Sequence, residues 1–340
     1  MRLFATNNFY SKNQIAKKQL NQVKTFAQNQ NKLKKSWKQL MIFLFPTYPV
    51  SPFASANYIV FLAVFVALRL IIGKLSIPIP VFMTRLSFAW TPVFLIGWFF
   101  GPIYGFFIGW ISDSLGFLLS GGATWYIWYA IQEPIIALFA GLIGGIERIC
   151  RNYKKIWIHL LVQQIFLAGF LAVTYYYVID WFNNHNNVAE IKKWFSLSSY
   201  IIILTFLAIY YLVNQFLVFF AIFYKWEKTV ILLYASILVI SMIVLWSFLL
   251  GPKIFIMYYA FVHNGNSPSN LRKYGLIFYL IPRILRESVF TPVKIVVLSS
   301  LILTLSPIFK RLNNKIQNSY EPELTRSFFK NKKLFSKIDH

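Results

Sequence analysis

Long apolar runs, parted by short polar breaks, recur along this chain from residue 57 to residue 308. Each run is longer than a membrane β-strand and lacks strict alternation, so each predicts a helix. The pattern predicts eight spans, at 57–74, 86–100, 102–118, 124–146, 156–182, 197–223, 229–250 and 284–308. The stretch 41–54 is apolar but too short to cross, and Pro46, Pro49 and Pro52 interrupt it. It is expected to lie at the membrane interface.

The second and third spans carry the most specific pattern, IGWFFGPIYGFFIGWISDSLG from Ile96 to Gly116. Gly97, Gly101, Gly105 and Gly109 fall every fourth residue, which bares one helix face for close approach by another helix. Pro102 splits the run into two helices joined by a minimal turn. The bare face ends at Asp113, an acid in an apolar segment, and such acids are costly and usually have a role. In the first span Ala63 and Ala67 form a second flat strip. Spans from 57 to 146 are Gly-rich with tiny loops, whereas 156–223 is a two-span unit with hardly any Gly.

Composition agrees with a membrane protein: 58% of residues are hydrophobic, 13% charged, and the mean hydropathy is +0.57. A net charge of +24 raises nucleic acid as a partner. The distribution excludes it, because the bases concentrate in the tails and alternate loops. Placing both termini in the cytoplasm puts 23 Lys and Arg inside and seven outside, the bias expected of orientation in a bilayer. The basic N-terminal arm reads as a cytoplasmic tail or as a surface helix on anionic lipid. The single Cys150 excludes an internal disulfide. His159, His185, His263 and His340 show no ligand spacing, so no metal site or cofactor is expected. No P-loop pattern and no nucleophile motif occurs, so the chain is not expected to be an enzyme.

The remaining charges cluster in the outer half. Asp113 lies roughly 7–8 Å deep and Glu133 roughly 15 Å deep, at 1.5 Å per helical residue. Arg85 stands at the outer start of the second span, and Arg283 and Arg286 at the outer entrance of the last. The start of the fourth span, Thr124-Trp125-Tyr126-Ile127-Trp128-Tyr129, and Trp90 and Trp110 occupy the same level, either as an interfacial belt or as ring faces for a flat heterocycle. An Arg fork suits a carboxylate or phosphate, and Gln132 or an acid suits ring nitrogens. Asp113 could equally pair with an arginine for structure, and Arg69 and Lys294 are expected to snorkel or pair within the bundle. The candidate substrate-binding residues are Arg85, Trp90, Asp113, Trp125, Trp128, Gln132, Glu133 and Arg283. Ala63, Ala67, Gly97, Gly101, Gly105 and Gly109 are candidates for partner contact and helix packing.

These motifs resemble the substrate-binding S component of energy-coupling factor (ECF) vitamin transporters, most closely the folate-type branch. The resemblance rests on the Ala63–Ala67 strip, Arg85-Leu-Ser-Phe88, the glycine–proline stretch to Asp113, Ala137-Leu-Phe-Ala-Gly-Leu-Ile-Gly-Gly145 and the late segment Tyr279 to Glu287. It covers 57–147 and 229–308. It implies a multi-pass cell-membrane protein with a six-helix bundle, an outward vitamin pocket, a transmembrane coupling protein and two cytosolic ATPases. The alanine strip would meet the coupling protein. The expected fold is all-α: an S-component-like bundle plus an inserted two-helix hairpin, with both ends cytoplasmic. The expected organisation is a basic arm and interfacial segment (1–55), core helices (56–150), the hairpin (151–228), two last core helices (229–308) and a basic tail (309–340).

Gln132-Glu133-Pro134 departs from the folate-type pattern at the presumed pocket, which leaves thiamine or another vitamin open. Two alternatives remain: a self-contained proton-coupled carrier for a small polar solute, and a membrane enzyme, for which no constellation is visible.

Overall fold

The computed structural model describes residues 37, 39–75, 77–79, 84–121, 124–150, 156–185, 197–223, 227–268, 271 and 275–335. The basic arm before Trp37 lies outside the described residues. The helices are α1 (Ala56–Lys74), α2 (Trp90–Phe100), α3 (Pro102–Leu118), the one-turn α4 (Ile127–Ala130), α5 (Gln132–Cys150), α6 (Ile156–His185), α7 (Leu197–Phe223), α8 (Glu227–Met242), α9 (Gly251–Val262) and α10 (Ile277–Phe335). A π-helical segment, Ile243–Leu250, joins α8 to α9.

The fold is helical with one small exception. Strands β1 (Ile77–Ile79) and β2 (Thr84–Leu86) pair antiparallel, with Ile77 opposite Leu86 and Pro78 opposite Arg85. This pair replaces the expected start of the second span at 86, and β2 packs against α10. Among the described residues, five helices are long and apolar enough to cross a bilayer: Ala56–Lys74, Ile127–Ile149, Trp157–Tyr177, Thr229–Val262 and Val289–Ser319.

The second element is buried on all sides, whereas α3 buries one side and leaves Phe107, Trp110, Ile111 and Leu118 exposed. All of Thr91 to Phe100 is buried, and α2 packs against α1, α3, α5 and α10. Gly97 and Gly109 allow the approach of α5. A Cβ on Gly97 would overlap the Ala137 carbonyl, and one on Gly109 would stand 2.9 Å from the Glu133 carbonyl oxygen. The α2–α3 turn is made at Gly101, whose φ of +88° disfavours any L side chain. Pro102 then opens α3 where its missing N–H costs nothing.

Two helices run further than the sequence pattern indicates. Gly251-Pro252 was expected to end a span, yet Thr229–Val262 is continuous. The π turn absorbs the proline: Gly251 N–H donates to the Trp246 carbonyl, five residues back. At roughly 1.5 Å per residue this element exceeds a bilayer's hydrocarbon thickness of about 30 Å, so it tilts or stands proud. Helix α10 likewise starts before the expected residue 284 and continues past 308.

One end of the bundle is closed by both terminal segments. Residues 39–44 are helical and lead through a turn to the 3-10 helix Pro52–Ala54. Gln317 of α10 donates to the Tyr48 carbonyl at 3.1 Å, and the Tyr58 hydroxyl donates to Asn313. Phe309 packs against Tyr58, Phe61, Phe99 and Phe100. The stretch 41–54 thus folds onto the bundle end as well as being apolar.

Helices α6 and α7 flank this core. Helix α6 packs on α8, with His159 Nδ1 2.8 Å from the Tyr234 hydroxyl, and α7 packs on α10. Within the hairpin, Gln163 donates to Asn214 at 3.0 Å and Gln215 to Gln164 at 2.7 Å. Such amide bonds hold helices together where no water competes.

Candidate functional site

Ionisable side chains gather in two groups. The first joins α1, α3 and α5. Arg69 Nε donates to both Glu133 carboxylate oxygens, at 2.7 and 3.0 Å, and its Nη2 donates to Oε1. Asp113 Oδ1 lies 3.7 Å from the same Nη2. Gly116 makes room for the guanidinium, which a Cβ there would strike. Arg69 therefore pairs within the bundle, as the sequence indicated. Its fork is engaged by Glu133, the third residue after the end of α4.

The second group lies on α10. Glu287 is fully buried. Its Oε1 accepts from Arg286 Nη2 at 2.6 Å, Arg286 Nε at 3.0 Å and Ser247 Oγ at 3.2 Å. Its Oε2 accepts from Lys294 Nζ at 2.5 Å. Lys294 also sits 5.9 Å from the centroid of the Trp90 ring, which brings that candidate to this group. Ser247 belongs to the π segment, so the widened turn supplies one of the contacts that hold the acid.

Arg283 stands one turn before Glu287. It is half-buried, and among the described residues it has no carboxylate partner. Its guanidinium rests in the notch at Gly251, where a Cβ would overlap both Arg283 Nη1 and the Trp246 carbonyl. The Tyr129 phenol is within electrostatic reach of it. Tyr129 in turn packs edge-on to Tyr258 at 5.3 Å, and Tyr126 lies 5.6 Å from Tyr258 and 5.4 Å from Phe261. The sequence reading notes Tyr126 and Tyr129 within the aromatic start of the fourth span, but not their partners Tyr258 and Phe261 at the far end of α9. Their signal was the overlength of the α8–α9 element, hidden behind Gly251-Pro252.

The other candidates are more scattered. Trp125 and Trp128 are 46% and 47% exposed, outside the ring cluster. Gln132 is half-buried at the α4–α5 junction. Arg85 is on β2 opposite Pro78, and its side chain lies outside the described residues. Ala63 and Ala67 are exposed on α1, on a face shared with Val60, Val64 and Ile71. Among the described residues no group of three His, Cys, Asp or Glu could hold a metal.

A bundle of apolar helices of membrane-crossing length, with two buried charge groups, fits a membrane protein. Comparison with known proteins narrows the class. The family described as ECF-type riboflavin transporter, S component, matches residues 53–208. The folate transporter FolT of Streptococcus mutans is 32% identical over 139 residues, 38% of this chain and 75% of that protein. An uncharacterized protein of Mycoplasma genitalium is 29% identical over 269 residues, 76% of this chain and 93% of the relative. A UPF0397 protein of Streptococcus gordonii is 33% identical over 90 residues, 26% of this chain and 44% of the relative. No solved structure matches the chain. The chain belongs to the S components of ECF-type transporters, on the folate-type branch. It is a multi-pass protein of the cell membrane and a transport component, not an enzyme.

Proposed function

We propose that this chain is the substrate-binding subunit of an ATP-driven importer for a water-soluble vitamin, with a folate-like compound as the first candidate. It would bind the vitamin at the outer end and work with a transmembrane coupling protein and two cytosolic ATPases. The observation that carries this reading is the likeness to a folate transporter over 75% of that protein's length. The ring cluster of Tyr126, Tyr129, Tyr258 and Phe261 beside Arg283 supports it, because stacked ring faces suit a flat heterocycle.

On this reading Arg283, Trp90, Gln132 and the tyrosines face the ligand, with Arg85 on the β-pair above them. Asp113 and Glu133 form the joint with Arg69 that fixes α1 to the pocket wall. The exposed Ala63 and Ala67 would meet the coupling protein, since small side chains let a partner helix approach. Both termini lie in the cytoplasm, where the segments 39–55 and 309–319 close the inner end. The peripheral position of α6 and α7 fits a hairpin added to the transport core, giving eight spans. The test is purification from native membranes with mass spectrometry of what accompanies the chain. A coupling protein, ATPase subunits and a bound vitamin are expected. Recovery of the chain without any ATPase would refute the importer.

A further inference from the structure

The charges on α10 do not balance. Among the described residues, Arg283, Arg286 and Lys294 have a single acid near them, Glu287. Both oxygens of Glu287 are committed to Arg286, Lys294 and Ser247. Arg283 is within electrostatic reach of Glu287 but among the described residues makes no ion pair or hydrogen bond with it, and the group carries two positive charges in excess. A half-buried cation without a counter-charge costs free energy, and proteins retain one where something negative completes it. The same π turn holds a second unmet donor. Trp246 is 3% exposed and its indole N–H has no acceptor among the described residues. The Arg283 guanidinium on α10, lodged at Gly251, and the buried indole N–H of the π segment both call for acceptor oxygens.

The position of Arg283 is built. Any side chain at 251 would strike both the guanidinium and the fixed carbonyl of Trp246. The arginine alone could swing away, but the carbonyl belongs to the π turn, so that turn would have to rewind. Gly251 and the π turn thus hold the guanidinium beside the Tyr129–Tyr258 rings.

We propose that Arg283, seated in the Gly251 notch, reads an oxyanion on the transported vitamin, so the site selects a flat ring compound bearing a carboxylate or phosphate over its uncharged analogue. Gly251 is the positioning residue. The inference rests on the vitamin-binding reading and adds the ligand's charge and the group that recognises it. A lipid headgroup phosphate offers the same chemistry, so the test separates the sources.

The experiment measures binding to the full-length chain in a neutral detergent by quenching of intrinsic fluorescence. Two matched pairs are used: riboflavin with its 5′-phosphate, and folate with a pteridine lacking the carboxylates. The anionic member of at least one pair is expected to bind about tenfold tighter or more, the size of one charge-assisted hydrogen bond. R283Q should erase that ratio, and a monodisperse elution profile in detergent matching the parent shows that the variant folds. R283K should keep part of the ratio, and G251A should reduce it. Inorganic phosphate alone should compete only at high concentration, and short-chain phosphatidylglycerol should not compete. Binding of a vitamin without preference for the anionic member, or a preference that survives R283Q, overturns the inference and leaves the vitamin-binding reading intact. Competition by phosphatidylglycerol assigns Arg283 to lipid and also overturns it. No binding of any vitamin overturns both.

Discussion

Substituting Arg69 by Ala isolates the joint between α1 and the α3–α5 pair. The side chains of Arg69, Glu133 and Asp113 are 15%, 8% and 20% exposed. At that burial the pair belongs with interior ion pairs, not with surface ones worth about 1 kcal/mol or less. Removing Arg69, the one cation paired with them among the described residues, leaves two carboxylates facing each other, and breaking a buried pair from one side costs about 3–5 kcal/mol. Each 1.4 kcal/mol or so is a factor of ten in population, so the unfolded fraction should rise more than about a hundredfold. The assay is thermal stability in detergent, read as the monomer peak surviving a heating series. The triple variant R69M/D113N/E133Q removes all three charges and should recover most of the loss, because apolar or neutral replacement of a whole buried pair is often close to neutral. An R69A protein as heat-resistant as the parent would refute the reasoning. So would a triple variant no more stable than R69A, since the loss would then come from packing and not from stranded charge.

Three further outcomes follow from the packing and the exposed faces. G97A should destabilise the protein by about 1–3 kcal/mol, because its Cβ would overlap the Ala137 carbonyl, while G169A, with nothing within 4 Å of its Cβ, should stabilise by about 0.5–1 kcal/mol; parallel melting curves compare the two. A63W/A67W should abolish co-purification of the coupling protein while leaving vitamin affinity of the isolated chain within about twofold, since both alanines point out of the fold. Truncation after Leu305 should cut the melting temperature sharply through loss of Phe309, Asn313 and Ile316, whereas truncation after Ser319 should leave it nearly unchanged.

The core was readable where spacing alone decides contact. Glycines four apart on α2 and α3 predict a bare face, and the α5 backbone occupies it at Gly97, Gly105 and Gly109. The pairing of Arg69 was anticipated as a type of interaction, but its partners were not, because nothing local links residue 69 to 133. The rest of the ring cluster stayed hidden for a related reason. Gly251-Pro252 reads as a helix end, and only the π turn, a tertiary accommodation, carries the helix on to Tyr258 and Phe261. Of the four rings at 125–129, Trp125 and Trp128 were the pocket candidates, whereas Tyr126 and Tyr129 make the contacts to α9, the chain entering α4 in an extended conformation at Tyr126. The β1–β2 pair lies in a stretch whose apolar residues and prolines gave no period to follow.

Vitamin uptake by cells that cannot make the vitamin tests the central claim most directly. The chain is expressed alone, and then with a coupling protein and its two ATPases. Uptake is expected only with the full set, and should stop when the ATPases carry inactivating changes in their nucleotide sites. Uptake by this chain alone that collapses with the proton gradient would contradict the account.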